Sequence, residues 1–334
     1  MTIDRAMDTG FDFDAAVVAP FRMQPGLRRL APGARQLTPL ASGCRHQREK
    51  LAVLSAFPDL ALQVADGFDE RPALDALAAH AAREHPSHWH WDGARAEALA
   101  LATAVRVGSG GPDVEQLAAG RFGLGDEVAR CLRGLPARWR LAGLLALAFA
   151  EDLAVVDAGS GRIPWLAVAL PSHWAPEGKV GQHFAEVHAP VADNTLIVRA
   201  ADALMRLVAP LDDDGTRWER FVWSVTGHPR LHAHPRHVDP ARWPADIAAT
   251  LPAGAWWRSE RQTFVPVPGA GQAVFTIAVD VQHLAQAIAT PERAARLHDA
   301  IGSMSPPVLQ YRGLSTVREP LLAWLDRQRS EAGS

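Results

Sequence analysis

His188, in the second half of the chain, has the chemical type and the setting expected of a metal-binding side chain. It ends a predicted helix within Phe184-Ala-Glu-Val-His-Ala-Pro-Val191. A neutral imidazole held by a stiff Ala-Pro exit is a suitable axial ligand for haem iron, and a backbone carbonyl can hold its second nitrogen. The simpler alternative is a histidine that interacts with the dipole at the helix C-terminus.

Glu260 lies in a charged segment, Arg258-Ser-Glu-Arg-Gln262. In a strand, neighbouring side chains point to opposite faces, so Glu260 and Arg261 would face different surroundings. A buried carboxylate can bind the cation of an amine or take its proton. A guanidinium can bind a carboxylate, such as a haem propionate, through two hydrogen bonds. The alternative for both residues is a salt bridge across neighbouring strands.

This charged segment belongs to a predicted β-hairpin over residues 256–281. Two β-prone runs flank Pro266-Val-Pro-Gly-Ala-Gly271, a cluster that favours a loop. In the second run, apolar side chains alternate with Thr276 and Asp280, which predicts one buried face. In the first run, charges would lie on both faces, and buried charges must be paired or bound to a ligand.

The rest of the chain predicts helices first and then a mostly antiparallel sheet with helices between its strands. This order is typical of an α+β fold, and about five strands would form a small curved sheet able to hold a ligand. Asp113 is placed to cap a helix after the break at 108–112. Helices are expected at 45–54, 72–84, 95–107, 126–132, 139–150, 178–188, 196–208 and 284–304, and further strands at 153–156, 163–170 and 220–225.

Composition and charge exclude several classes of protein. Apolar residues make up 48% of the 334 residues and charged residues 21%, as in a soluble globular protein. The net charge of −3 provides no basic surface for nucleic acid or anionic lipid. The two cysteines, Cys44 and Cys131, suit a reducing cytoplasm and cannot by themselves form a four-cysteine zinc or iron–sulfur site. The N-terminus has no signal-peptide pattern, so we expect a cytoplasmic protein.

Other candidate motifs give weaker signals. Two histidine groups could bind zinc, but no HExxH or CxxC motif accompanies them. Sequences for a Rossmann dinucleotide site, a P-loop or a GxSxG nucleophile are absent. Tyr311, the only tyrosine, adjoins Arg312, with a surface turn as the alternative. The histidine groups are His85, His88 and His90, and His228, His232, His234 and His237.

Seven short segments occur in order between Phe21 and Gly313, and together they are specific. They resemble the haem-dependent oxidative N-demethylase α subunits, also described as dimethylamine monooxygenase haem subunits. The segments are Phe21-Arg-Met-Gln-Pro-Gly-Leu27, Glu151-Asp-Leu153, Ala169-Leu-Pro-Ser-His-Trp174, Lys179-Val-Gly-Gln-His-Phe-Ala-Glu-Val-His-Ala-Pro-Val191, Trp223-Ser224, Trp257-Arg-Ser-Glu-Arg-Gln-Thr-Phe264 with Ala273-Val-Phe-Thr-Ile277, and Tyr311-Arg-Gly313.

The resemblance implies a PAS-like antiparallel sheet that binds haem b, with additional helices. It implies that O2 oxidises a small secondary alkylamine, that formaldehyde is released, and that electrons come from NADPH through a separate flavin and iron–sulfur reductase subunit. We expect no nucleic acid or membrane partner, and leave a homo-oligomer open. The expected organisation is a loose arm at 1–20, a mostly helical region at 21–150, the PAS-like haem-binding region at 151–315, and a C-terminal helix or tail at 316–334.

By the same resemblance, His188 is the proximal haem ligand, and Glu260 is the distal carboxylate that orients the amine or relays protons. Arg312 stands where the family usually has lysine, and a guanidinium keeps the charge but does not readily release a proton. The supporting residues are Trp223, which would line the pocket, and Arg261 and Gln262, which would hold the pocket or a propionate.

Three other functions are compatible with the sequence. A PAS-type haem or gas sensor would bind the cofactor without catalysis. A biosynthetic haem oxidase would act on a larger amine or oxidise nitrogen, which the change at Arg312 makes plausible. A haem-free protein would retain the fold alone.

Overall fold

A seven-stranded antiparallel sheet forms the centre of the protein, in a computed structural model that describes residues 7–108, 113–120, 123–212 and 214–330. The strands, in chain order, are β1 (Arg28–Arg29), β2 (Leu62–Val64), β3 (Trp89–Trp91), β4 (Arg95–Ala98), β5 (Thr103–Arg106), β6 (Asp113–Gln116), β7 (Glu151–Asp157), β8 (Arg162–Ala167), β9 (Trp218–Thr226), β10 (Trp256–Val267) and β11 (Gln272–His283). The order across the large sheet is β1-β9-β10-β11-β7-β8-β2, and β3-β4-β5-β6 form a second sheet.

Helices surround the large sheet, so the predicted α+β class is confirmed. The region from residue 151 contributes five strands, as expected, and β1 and β2 extend this set at its two ends. The α-helices are α1 (Phe13–Ala16), α2 (Arg45–Ala56), α3 (Pro58–Ala61), α4 (Arg71–Glu84), α5 (Glu127–Gly134), α6 (Arg140–Ala148), α7 (Phe184–His188), α8 (Thr195–Arg199), α9 (Ala201–Val208), α10 (Ile247–Thr250), α11 (Leu284–Ala287), α12 (Pro291–Gly302), α13 (Pro306–Tyr311) and α14 (Arg318–Ser330).

The predicted hairpin lies in the middle of the large sheet. β10 and β11 pair along their whole lengths, and the turn between them places Gly269 and Gly271 at φ values of 70° and 61°, which glycine adopts without strain. The expectation that β11 buries only one face is wrong. Thr276 and Asp280, expected on the open face, are 0% and 5% exposed, because other parts of the chain cover both faces of the sheet.

The two faces of the large sheet differ in chemistry. Residues directly opposite on paired strands share a face, and Glu260 lies opposite Val222 while Arg261 lies opposite Phe221. We call the face with Glu260 the glutamate face and the face with Arg261 the tryptophan face. The glutamate face also carries Arg220, Val222, Arg258 and Gln262, and the tryptophan face carries Phe221, Trp223, Trp257 and Ser259.

Different segments cover the two faces. On the glutamate face, Phe264 packs in one apolar cluster with Met205 of α9 and with the partly buried Phe184 of α7. On the tryptophan face, the N-terminal segment packs through Phe13 and Val17 in a cluster with side chains of α12 and α14. The described part of the predicted N-terminal arm therefore lies against the sheet, while residues 1–6 lie outside the described residues.

Part of the region predicted to be helical forms the second sheet. Residues 95–107, expected as one helix, form β4 and β5 around a short 3-10 turn, and Asp113 begins β6 instead of capping a helix. Alanine and leucine favour helices, but burial along β4 alternates from residue to residue, which is the period of a strand. The predicted break at 108–112 lies outside the described residues except for Gly108.

Three other predicted helices are shorter than expected. The helix expected at 178–188 is reduced to α7, and the one at 196–208 divides into α8 and α9. The helix expected at 284–304 is interrupted before α12, where Pro291 occupies the first turn and Thr290 caps it. Proline lacks the N–H that a continuous helix needs, so a new helix begins there.

Arg258 joins two loops to the glutamate face. The residue is 1% exposed, and its guanidinium donates to five acceptors within this interior, so its charge is satisfied largely by backbone carbonyls. The acceptors are Ser172 Oγ and the carbonyl oxygens of Leu170, Pro171, Arg230 and Leu231, at 2.7–3.1 Å.

Replacing this guanidinium should strongly destabilise the protein. The change Arg258→Met removes all five donated hydrogen bonds and leaves buried carbonyls without partners, so we expect the free energy of unfolding to fall by about 3–5 kcal/mol. Urea unfolding at neutral pH measures this loss. Arg206→Met on the exposed side of α9 is the matched control and should stay within about 0.5 kcal/mol. Similar losses in both variants would contradict the assignment.

Candidate functional site

The ring of His188 is oriented by its own helix. Its Nδ1 lies 2.8 Å from the carbonyl oxygen of Phe184, one turn earlier. The ring centroids of Phe184 and His188 are 4.2 Å apart. Because a carbonyl oxygen only accepts, Nδ1 carries the proton and Nε2 keeps its lone pair. Nε2 makes no hydrogen bond with any residue that the structure describes.

Side chains on both sides of α7 hold the end of this short helix. Lys179 Nζ donates to the carbonyl oxygen of Val187 at 2.9 Å. Asn194 Nδ2 donates to the carbonyl oxygens of His188 at 3.1 Å and Ala189 at 2.8 Å. The last carbonyls of a helix have no partner within the helix, so these two residues fix the position of His188.

Burial keeps the His188 imidazole neutral. Loss of hydration lowers its pKa to about 4, and the positive charges of Arg220 and Lys179 act in the same direction, whereas the hydrogen bond to Phe184 opposes them. Near pH 7 the ring is therefore uncharged, which is the form that binds a metal.

His183, one turn earlier, has a structural role. Its Nδ1 accepts a hydrogen bond from the backbone N–H of Ala185 at 3.2 Å, and the Glu186 carboxylate returns to the His183 backbone N–H at 2.7 Å. The two residues form a capping box at the start of α7. The Nε2 of His183 lies 3.4 Å from Asp202 Oδ1. Both ring nitrogens of His183 therefore have polar neighbours, whereas in His188 only Nδ1 does.

Glu260 lies at the centre of a buried polar cluster on the glutamate face. The residue is 7% exposed, and its Oε2 accepts a hydrogen bond from Gln262 Nε2 at 2.6 Å. Three buried atoms around it have no hydrogen-bond partner in the described part of the chain: Arg220 Nε, Gln262 Oε1 and Arg312 Nε. Buried polar atoms are rarely left unpaired, so this cluster has the donors and acceptors of a site for a polar ligand.

Arg220 is the site residue that the sequence did not reveal. It lies on β9 opposite Gln262. Burial lowers its pKa, and the Glu260 carboxylate opposes that shift. Its charge also acts on His188, so Arg220 lies within electrostatic reach of both candidate residues. Only the register between β9 and β10 reveals this position, and no signal in the sequence specifies that register.

Arg312 reaches the cluster from the free edge of β9. Its guanidinium donates to the carbonyl oxygen of Trp223 and lies 4.6 Å from the ring centroid of Phe21 and 5.1 Å from that of Trp223. Burial lowers its pKa to about 10, with Tyr311 and Glu260 opposing the shift, so the group stays cationic at pH 7. Contacts with aromatic faces favour such a cation.

Two expected pocket residues lie on the tryptophan face. Arg261 Nε pairs with Glu219 Oε2 at 2.9 Å. Trp223 stacks on Trp257 with ring centroids 5.3 Å apart, and its Nε1 donates to the carbonyl oxygen of Ala16 at 3.0 Å. The structure thus groups Glu260 and Gln262 with Arg220 on the glutamate face. Arg312 interacts with Glu260 from the edge of β9, while Arg261 and Trp223 lie on the opposite face.

The histidine-rich loop provides no metal site among the described residues. His232 Nε2 lies 3.1 Å from His237 Nδ1, and His173 Nε2 lies 3.0 Å from His228 Nε2. Within the described ranges, no group of three or more His, Cys, Asp or Glu residues could hold a metal ion. None of the described helices is long and apolar enough to cross a membrane.

A family comparison covers the region that contains this site. The family model described as haem-dependent oxidative N-demethylase, alpha subunit-like, matches residues 136–322, which is more than half of the 334 residues. The chain belongs to this family. The match includes β7–β11, His188 and the whole polar cluster around Glu260. The family resemblance is thereby confirmed, and six of the seven segments, all except the one that begins at Phe21, lie within the matched range.

Membership in the haem-dependent N-demethylase family indicates a haem-dependent oxidoreductase, and the words "alpha subunit" indicate a complex with other subunits. The residues present fit a haem. His188 offers a neutral imidazole with a free Nε2, and Arg220 and Arg312 offer buried donors for anionic groups.

Hemin binding should depend little on pH between 5.5 and 7.5. The folded-state pKa of His188 is about 4, below the ordinary value near 6.5, so the ring remains mostly neutral across this range. We expect the dissociation constant, from Soret absorbance titrations of the purified protein, to change less than about twofold. A loss of about tenfold at pH 5.5 would indicate a ring with an ordinary pKa. The same shift favours unfolding as pH falls from 6.5 towards 4, because the unfolded chain then binds the proton.

Proposed function

We propose that this protein binds haem b through His188 and uses O2 to remove a methyl group from a small secondary alkylamine, with release of formaldehyde. The supporting observation is a neutral imidazole with a free Nε2, electrostatically linked through Arg220 to Glu260 and its unpaired buried neighbours. A metal ligand and an amine-binding carboxylate are the two groups that this reaction requires from the protein.

The sheet topology supports a PAS-like fold for the haem-binding region. Numbered from β7, the five central strands follow the order 2-1-5-4-3 across the sheet. The connection between the second and third of these strands contains α7–α9 and packs on the glutamate face. A cofactor held by His188 would lie between these helices and that face of the sheet.

Each residue of the cluster would have a defined task. Bound haem would supply O2 activation and electron transfer. Glu260, with Oε2 held by Gln262, would accept a hydrogen bond from the substrate nitrogen and hold or take its proton. Arg312 would stabilise negative charge near Glu260 without exchanging protons, because a guanidinium remains protonated.

The electrons would come from another subunit. Cys44 and Cys131 are both free thiols, and two cysteines cannot ligate an iron–sulfur cluster that needs four. We therefore propose a separate flavin and iron–sulfur reductase that takes electrons from NADPH. Free thiols also support a reducing cytoplasmic location.

The first test concerns the haem ligand. In His188→Ala the axial nitrogen is lost, so hemin should no longer give the Soret band of a specifically ligated haem. His90→Ala, a change at an exposed residue of β3, should bind hemin like the wild type. A full-strength, unshifted Soret band in His188→Ala would remove this residue from the proposed role.

The second test separates haem binding from catalysis. Glu260→Gln keeps the size of the side chain but cannot hold or take a proton, so haem content should be unchanged while turnover falls by about 10²–10⁴-fold. Formaldehyde release from dimethylamine, with NADPH and a flavin/iron–sulfur reductase, measures turnover. Glu319→Gln at the exposed start of α14 is the control. Undiminished activity in Glu260→Gln would exclude the proposed carboxylate.

A further inference from the structure

We infer that Arg220 forms a carboxylate-binding site next to His188 and Glu260. The assignment rests on the proposed function for the nature of the site, and it adds the chemical class of the group bound there. Arg220 Nε is buried and has no hydrogen-bond partner among the described residues, yet the side chain lies close enough to influence His188 and to be influenced by Glu260.

The other arginines of this region have partners inside the chain. Arg258 donates to a hydroxyl and four carbonyls, and Arg261 pairs with Glu219. Arg312 donates to a carbonyl and lies over two aromatic rings. Arg220 makes no hydrogen bond or salt bridge with any described residue. Arg220 is only partly buried as a residue, but its Nε is fully buried and unpaired, and a buried N–H without a partner is unfavourable. A partner from outside the chain is therefore expected at this guanidinium.

Glu260 is near but does not serve as that partner. Arg220 lies opposite Gln262, and Glu260 lies opposite Val222, so Arg220 and Glu260 are diagonal neighbours on one face of the sheet. Diagonal neighbours are about 7–8 Å apart at the backbone, and Glu260 Oε2 is already held by Gln262. The two opposite charges can therefore be bridged by a ligand that has an anionic group for Arg220 and a cationic group for Glu260.

A carboxylate is the anion that fits this position. The guanidinium fork forms two parallel hydrogen bonds with a carboxylate. Of the two cations that act on His188, Lys179 donates to the carbonyl of Val187, whereas Arg220 has no hydrogen-bond partner among the described residues. The carboxylate has two possible sources: a propionate of the haem, or the carboxylate of the substrate itself, which would then be an N-methyl amino acid with its amine at Glu260.

Two pairs of probes distinguish these sources. Hemin and hemin dimethyl ester differ in free propionates, and N-methylglycine and dimethylamine differ in a carboxylate. Each is titrated by Soret absorbance into the wild type, Arg220→Gln, Arg220→Lys and the control Arg206→Gln, an exposed position on α9. Arg220→Lys keeps the charge without the fork and remains informative if Arg220→Gln fails to fold.

If the propionate is bound, the wild type should prefer hemin over its dimethyl ester by about tenfold to a hundredfold, and Arg220→Gln should lose that preference. If the substrate is bound, the hemin preference should be the same in both proteins. The affinity for N-methylglycine, measured from the change in Soret absorbance, should then fall by a similar factor in Arg220→Gln. The affinity for dimethylamine should stay the same. Arg220→Lys should fall between the wild type and Arg220→Gln.

Two results would overturn the assignment or its foundation. If the Arg220 variants match the Arg206→Gln control with all four probes, Arg220 binds no carboxylate. If hemin added to the wild type does not give the Soret band of a specifically ligated haem, the proposed function fails instead. The haem-free protein then provides the remaining test. N-methylglycine should then raise the melting temperature of the wild type but not of Arg220→Gln, and the absence of any such difference would end the inference.

Discussion

The pairing of β9 with β10 is the interaction on which the site depends. Its register places Arg220 and Glu260 on one face of the sheet and Glu219 and Arg261 on the other. Each face thus carries one arginine and one glutamate, but of these two pairs only Arg261 and Glu219 form a salt bridge. A shift of one residue would exchange the faces of every side chain on one strand. The same two strands therefore supply a stabilising ion pair on one side and unpaired charges on the other.

The short helix α7 complements this rigid sheet. It has only five residues, too few for a helix to be stable alone, and it contains no fully buried residue. Its position depends on the capping box at His183 and on the hydrogen bonds from Lys179 and Asn194. Polar clamps thus fix the end of the helix at His188, while Phe184 and Val187 pack against the apolar cluster that includes Phe264.

The sequence predicts the hairpin and the α+β class because these depend on local patterns. Alternation and breaker residues are visible within a few residues. The role of His188 as a haem ligand stays a prediction. Prediction from the sequence fails at β4 and β5, because a strand built from Ala96 and Ala98 has helical composition and forms only through its neighbours. It also misses Arg220, whose surroundings are set by strand register. Arg261 and Arg220 have the same chemistry, and only tertiary structure shows which one already has a partner.

The segment before residue 136 lies outside the family match, yet it touches the site. Phe21 contacts the guanidinium of Arg312, and the Ala16 carbonyl accepts the indole N–H of Trp223, which lies beneath the same guanidinium. A loop from outside the family match thus forms part of the wall around the charged cluster. Substitutions in this loop can change the surroundings of Arg312 without altering β9 or β10, so the shape of the cluster depends on a segment that the family model does not cover.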